Sequence, residues 1–325
     1  MEYRRLGRSG LKLSCLSLGS WVTFGQQVDK SAAQNMLAHA YDAGVNFFDS
    51  AESYGRGAAE EILGEVLGRL GWPRDTWCVS SKVYFGRVSE PTPTQRGLSR
   101  KHIVEACHQA LRRLKVDYLD LYFCHRPDPD TPIEETVRSM DELVRQGKVL
   151  YWGTSEWPAE AIAEAFHIAR EHHLTPPTME QPEYNLFARE RVEREYAPLY
   201  FEFGLGTTIW SPLKSGLLTG KYNEGIPDDS RLNLASFAWL RESVLGPEAD
   251  ARIAAVRKLA AVASRLDTGM AQLAIAWCLK NPHVSTVITG ASRVEQLREN
   301  LRALDVVPLL TGEVMQEIEW ILQGR

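Results

Sequence analysis

The chain has 325 residues, 44% of them hydrophobic and 24% charged, with a net charge of −5 and a pI near 6.0. That is the composition of a soluble globular protein, and the length suits a single α/β barrel. No Lys/Arg cluster invites a nucleic acid or an anionic membrane, the N-terminal "MEYRRLGRSGLKLS" has no apolar signal core, and no apolar run of about 18 residues is present to span a bilayer.

In chain order, "YRRLGRSGLKLS" reads as a short hairpin turning at Ser9-Gly10. Apolar runs follow at 13–19, 45–49, 77–82, 119–125, 149–153, 178–181, 206–210 and 284–290. Most are continuous rather than alternating, as in strands buried on both faces of a parallel sheet. Between them, Ala33, Met36, Leu37, Ala40 and Tyr41 recur at helical spacing before Gly44, and Ile62, Leu63, Val66, Leu67 and Leu70 before Gly71. Ser99 is placed to cap a helix with the stripe Ile103, Val104, Cys107, Leu111 and Leu114. Ile162, Phe166 and Ala169 mark another, and further helices fit 249–265, 268–279 and 292–302.

Eight strands alternating with helices predict a (β/α)8 TIM barrel over residues 1–325 as one domain, with the hairpin in front. A doubly wound sheet is disfavoured because no G-x-G-x-x-G follows the first strand. The segments 85–97 and 221–249 read as long strand-to-helix loops, which build the functional face of a barrel. Cys15, Cys78, Cys107, Cys124 and Cys278 are scattered and lack C-x-x-C spacing, which argues for reduced thiols in a cytoplasmic protein and against disulfides or a metal site.

The chemistry gathers at predicted strand ends. The stretch "FFDSAESYG" at 47–55 brings Asp49, Glu52 and Tyr54 together where a strand leaves the core. The next strand ends give Lys82 and His125, then Ser155, Gln181 and Trp210, and the barrel rule sends them to one mouth. A phenol has a pKa of about 10; a neighbouring Lys82 cation is expected to lower it. Asp49 would pair with Lys82, and His125 would orient a carbonyl. Such a phenol is a proton donor for carbonyl reduction, and the missing hydride implies a nicotinamide cofactor. Singly, each residue has a plainer reading: Asp49 as a helix cap, Tyr54 as a packed ring, Lys82 as a rim charge, His125 as a loop residue. The set as a whole does not. Trp210 alone could be core filling and Arg293 alone a solvated charge. Cys124 beside His125 is expected to be inert, because adjacent strand residues face opposite sides, and His172 and His173 to decorate a helix surface.

The chain resembles the aldo-keto reductases nearly end to end, through "FFDSAESYG", "SSK", "DLYFCHRPD", "YWGTS", "EQPEYN", "WSPLKSGLLTGKY" and "TGASRVEQLREN". Within that superfamily it is similar to the β subunits of voltage-gated potassium channels and their bacterial relatives, through "SWVTFG", "RGLSRKHI", "HRPDPDTPIEETVR" and "SRLN". The resemblance implies a catalytic tetrad of Asp49, Tyr54, Lys82 and His125. It implies that Ser155 and Gln181 hold the nicotinamide carboxamide and that Trp210 stacks on its ring. Ser211, Leu213, Ser215, Lys221 and Arg231 fall along the pyrophosphate, and Gly290, Ser292, Arg293, Gln296, Glu299 and Asn300 at the adenosine-phosphate end. Gly19, Ser20, Trp21 and Gln27 fall on the loop after the first strand, and Trp21, Tyr54, Tyr84, Phe85 and His125 around the substrate. Where the channel subunits have Asn, this chain has His125, which favours catalysis. Glu156 departs from the usual Arg or Asn, and Asp228 and Asp229 from Pro and Tyr.

The implied activity is NADPH-dependent reduction of a small or aromatic aldehyde or a ketone, in a homo-oligomer such as a tetramer or octamer. Arg293, beside the freed amides of "GAS" and just before a helix, would hold the 2′-phosphate of NADPH. One alternative is a redox-sensing, channel-binding subunit with slow turnover. Another is an aldolase using Lys82 as a Schiff base, which has no need of Trp210 or "GASRVEQLREN".

Overall fold

A computed structural model describes residues 1–21, 29–227, 230–233, 241–242, 244 and 246–324. The chain opens with an antiparallel pair, β1 (Tyr3–Arg5) and β2 (Lys12–Ser14), with Arg4 opposite Leu13. Then come β3 (Leu16–Gly19), β4 (Phe47–Asp49), β5 (Cys78–Val83), β6 (Leu119–Cys124), β7 (Val149–Thr154), β8 (Met179–Glu180), β9 (Gly206–Ile209) and β10 (Val284–Thr289). These eight strands are parallel, each beside the next, and β10 closes on β3 with Val287 against Leu16. This is the (β/α)8 TIM barrel with an N-terminal hairpin that the alternation predicts. The run 13–19 is split, however. Lys12–Ser14 pairs with β1, and at Cys15 the backbone changes partner, its carbonyl accepting from Val287 N at 2.8 Å.

Two compact units divide the chain. The first holds Met1–Pro182, Glu190–Ile209 and His283–Leu297, and so every barrel strand. Its helices are α1 (Lys30–Asp42), α2 (Ala58–Leu70), α3 (Arg100–Leu114), α4 (Ile133–Arg145), α5 (Ala159–Glu171) and α6 (Ala197–Glu202). α3 starts where expected, the Ser99 hydroxyl accepting from His102 N at 3.3 Å, and buries Ile103, Ala106, Cys107, Ala110, Leu111 and Leu114. α4 is absent from the sequence reading: its buried Val137, Met140 and Leu143 are thinly spaced among charges and follow the Pro-rich "RPDPDTP". The second unit holds Glu183–Arg189, Trp210–Pro282 and Arg298–Arg325. It contains α7 (Ala249–Arg265), the fully buried α8 (Met270–Leu279), α10 (Ala303–Val306) and α11 (Gly312–Leu322). There, Arg189 reaches Glu319 at 2.6 Å and lies over the Trp277 ring. α9 (Val294–Leu301) begins in the first unit and ends in the second. α11 was also unread, with only Ile318 buried along it. Among the described residues no helix is long and apolar enough to cross a membrane.

Inside the barrel, Phe47, Cys78, Leu121, Phe123 and Met179 form one buried cluster, which Leu6 and Leu13 of the hairpin region join. Side chains alternate faces along a strand, so the inward series continues from Phe47 to Asp49, from Cys78 through Ser80 to Lys82, from Phe123 to His125 and from Met179 to Gln181. An apolar layer thus supports a polar one. The outward partners are Ser81, Cys124 and Glu180. All five cysteines are free and buried; burial pushes the Cys124 thiol well above its usual value, so it stays protonated.

Glu180 is a further buried carboxyl. It accepts from Trp157 N at 3.3 Å and from the Tyr196 hydroxyl at 3.4 Å, and takes a short hydrogen bond from Thr154. Burial pushes it up to about 8, from 4.5. The fold therefore holds a proton that the unfolded chain has released between those values. This stabilisation is complete below about 4.5 and lost as pH rises through about 8, on the order of a few kcal/mol. Glu180→Gln, which cannot ionise, should flatten that dependence: thermal melts at the two ends of the window should show the variant losing less stability than wild type on the alkaline side. Parallel losses in both proteins would contradict the assignment.

Candidate active site

The predicted acid, ammonium and phenol are in contact. Lys82 Nζ donates to Asp49 Oδ2 at 2.7 Å, to the Ser50 carbonyl at 2.8 Å and to Tyr54 Oη at 3.2 Å. Lys82 is wholly buried and Asp49 nearly so. Such a pair persists only when the remaining lone pairs and protons are satisfied. Here Asp49 Oδ1 accepts from Ser80 Oγ at 2.8 Å and from Gln181 Nε2 at 3.1 Å. Tyr54 is delivered by a turn rather than a strand: Gly55, Arg56 and Gly57 all have positive φ (55°, 56° and 91°). The imidazole of His125 meets the Tyr54 ring edge-on, centroids 5.8 Å apart.

Burial pulls the Lys82 pKa down, but Asp49 and Tyr54 outweigh it and hold the amine above its usual value, so it stays a cation. Burial, then the Lys82 and Arg126 cations, push His125 well below the usual imidazole range. It is neutral at pH 7 and has one N–H to donate. Its buried Nδ1 has no partner among the described residues. One expectation is corrected. Burial raises the Tyr54 phenol above its ordinary value, and Lys82 offsets this only in part. The reading that Lys82 makes the phenol more acidic than a free tyrosine left out desolvation.

Phe85 packs edge-on against His125 at 5.1 Å and Tyr84 against Phe85 at 5.0 Å; Trp21 lies 6.4 Å from Tyr54, so all of the described substrate-wall candidates border the phenol or the imidazole. Two further residues shape this wall. Glu52, quoted in the motif but given no role, accepts from the backbone N–H of Tyr84 and Gly86, both at 2.9 Å, and so pins the segment carrying Phe85. Arg126 stands 5.6 Å over the Phe85 ring and donates to Ser155 Oγ at 3.4 Å. The only sequence signals for either were adjacency to Tyr54 and to His125.

Of the cofactor candidates, Ser20 Oγ donates to Ser50 Oγ at 2.9 Å beneath Asp49. Ser155 Oγ donates to the Gln181 carbonyl at 2.9 Å, and the Gln181 amide also reaches Thr208 at 3.3 Å. Ser155 and Gln181 thus offer a hydroxyl and a primary amide beside the Asp49–Lys82 pair, a donor set that fits a carboxamide-bearing ring. Glu156, at φ 59°, is turned to an ion pair with Arg191 at 2.5 Å. Ser292 N and Oγ both donate to Gln296 Oε1, at 2.9 and 3.0 Å, at the start of α9, where Arg293 is exposed and Gly290 ends the run after β10.

In the second unit, Ser211, Lys214 and Ser215 have positive φ (57°, 45° and 54°). Asn185 Nδ2 donates to the Ser211 carbonyl at 3.1 Å, and Lys214 reaches Glu183 at 3.0 Å. Left-handed non-glycine residues are costly and concentrate at ligand sites. This segment carries Trp210, Ser211, Leu213 and Ser215, with Lys221 exposed beyond them. Glu299 is exposed and its carbonyl accepts from Gln272 at 3.2 Å; Asn300 is buried. Arg231 begins a short turn, Arg231–Asn233, and its side chain lies outside the described residues, as do Gln27, Asp228 and Asp229.

The profile of the Aldo/keto reductase family matches residues 15–323. A "Probable voltage-gated potassium channel subunit beta" of Oryza sativa subsp. japonica is 52% identical over 100% of this chain and 98% of its own length. A protein of the same description from Arabidopsis thaliana is 51% identical over the same shares.

Proposed function

The chain belongs to the aldo/keto reductase family and is an oxidoreductase, and on that premise we propose that it reduces small aldehydes or ketones to alcohols with NADPH, Tyr54 delivering the proton. The observation that carries this reading is the position of Lys82 Nζ, which touches Asp49 at 2.7 Å and Tyr54 Oη at 3.2 Å. A bound nicotinamide supplies the hydride that no side chain offers. The protein's residues do the rest. Neutral His125 donates its N–H to the carbonyl oxygen and holds it against the phenol. As negative charge grows on that oxygen, the Tyr54 O–H bond breaks and the proton passes to it. Lys82, anchored by Asp49, stabilises the phenolate left behind. Trp21, Tyr84 and Phe85 exclude water from the carbonyl.

Ser155 and Gln181 would orient the carboxamide, Trp210 would stack on the ring, and Ser20, Trp21, Gln27 and Asp49 would border it. The pyrophosphate would take Ser211, Leu213, Ser215, Lys221 and Arg231. The adenosine phosphate would take Gly290, Ser292, Arg293, Gln296, Glu299 and Asn300. Five free, buried cysteines support a reducing, cytoplasmic setting.

The preference for NADPH over NADH rests on Arg293, whose planar fork suits a 2′-phosphate. A charge-assisted hydrogen bond contributes about 1.5–3 kcal/mol, roughly 10- to 150-fold in affinity. Arg293→Ala should remove most of that gap by weakening NADPH alone, and added salt should narrow it in wild type. Fluorescence titration with both cofactors checks this. Equal dissociation constants in wild type, or equal weakening in the variant, would remove the assignment.

A second reading is favoured by the names of the relatives, which share about half of this sequence along its whole length. Here the protein is a redox-sensing channel subunit, assembled as a tetramer or octamer, with slow turnover. Co-purification with a membrane protein together with negligible multiple turnover would select it. His125 argues for catalysis.

A further inference from the structure

Arg113, on α3, is a buried cation that the reduction does not use. It is 8% exposed, and its Nε donates to Glu60 Oε2 at 2.7 Å. Glu60 in turn accepts from Ser81 Oγ, which leaves that carboxylate fully engaged. Arg113 Nη2 is buried and finds no partner among the described residues. A buried donor of a charged group left without an acceptor is costly, and an acceptor from solution would relieve that cost.

Arg113 lines a cavity of about 570 Å³, with Arg87, Arg112 and Lys115 adding three more cations. Two carboxylates also line it, but both are engaged. Glu65 is held by Lys30 at 2.5 Å and by Arg69 at 2.6 Å; Glu61 lies 3.6 Å from Arg87. The lining therefore carries surplus positive charge around one unsatisfied guanidinium nitrogen. Arginine forks match the oxygens of phosphate, and a lysine adds a point charge. The volume lies in the range of small-molecule sites and exceeds what a bare anion fills.

We propose that this cavity, formed by α2, α3 and the loop carrying Arg87, binds a small phosphate monoester, with Arg113 Nη2 donating to a phosphate oxygen and Arg112 and Lys115 flanking it. The site is distinct from the residues proposed for the cofactor, and its test does not depend on reductase activity. Calorimetric titration of the full chain with glycerol 3-phosphate at low salt should show saturable binding, and glycerol should show none. Arg112→Ala/Lys115→Ala changes two exposed side chains and should weaken binding by about tenfold or more. Arg113→Lys keeps a cation for Glu60 but removes the unpaired N–H, and should weaken it similarly; should that variant not fold, the double variant carries the test. Absence of saturable binding in wild type, an unchanged Kd in the double variant, or binding abolished by Arg293→Ala instead would overturn the proposal.

Discussion

Tyr54→Phe should lower kcat by roughly 10²-fold or more while leaving NADPH affinity nearly unchanged. The substitution keeps the ring, and with it the packing against His125 and Trp21, but removes the only hydroxyl that Lys82 holds at 3.2 Å. General acid catalysis is worth about 10²–10⁴ in rate, and water in this mouth has neither the position nor the cation behind it. Because burial keeps the phenol above its ordinary pKa, Tyr54 is protonated throughout the neutral range. The acid is therefore always loaded, and the reductive rate should stay level across neutral pH. His125 supports the same expectation: its pKa lies well below neutrality, so no imidazole titration cuts into that plateau. Steady-state kinetics with a saturating aldehyde decides the matter, and a kcat within a few-fold of wild type would exclude Tyr54 as the acid.

Lys82→Met should abolish useful turnover, at a cost on the same scale or larger. Two losses combine. The phenol loses the strongest influence that lowers its pKa, so proton release into the growing charge becomes harder. The nearly buried Asp49 carboxylate also loses its cation and keeps only Ser80 and Gln181. Breaking one side of a buried ion pair costs about 3–5 kcal/mol, so the variant should melt earlier as well as react slowly. The two effects separate if rates are normalised to the folded fraction from circular dichroism. Residual turnover should then show an alkaline limb displaced from that of wild type. Turnover near the wild-type rate with an unchanged pH profile would take Lys82 out of the mechanism.

How much of this was legible depended on whether a property follows from strand parity. Asp49, Lys82 and His125 could be placed because each lies an even number of residues beyond an apolar inward residue, Phe47, Cys78 or Phe123. Tyr54 could be placed only by proximity in sequence; the left-handed run Gly55-Arg56-Gly57 that aims it is visible in the backbone alone. Glu52 acts on the main chain of residues 84–86, more than thirty positions away, and no side-chain pattern announces such a contact. The sign of the Tyr54 shift was misjudged for a related reason. The nearby cation is readable from strand ends, whereas desolvation depends on everything packed around the ring. The strand boundary at Cys15 escaped because "LSCLSLG" is uniformly apolar, and the change of partner from β1 to β10 leaves no mark in composition.

The central claim is turnover, and the decisive measurement is consumption of NADPH by the purified protein across a panel of aldehydes and ketones, followed at the nicotinamide absorbance band with the alcohol product quantified. The account predicts many equivalents of NADPH consumed per chain with at least one carbonyl, matched by an equal amount of alcohol. Consumption that stops at about one equivalent per chain with every carbonyl, in a protein that binds NADPH tightly, would contradict it and leave a cofactor-binding subunit in its place.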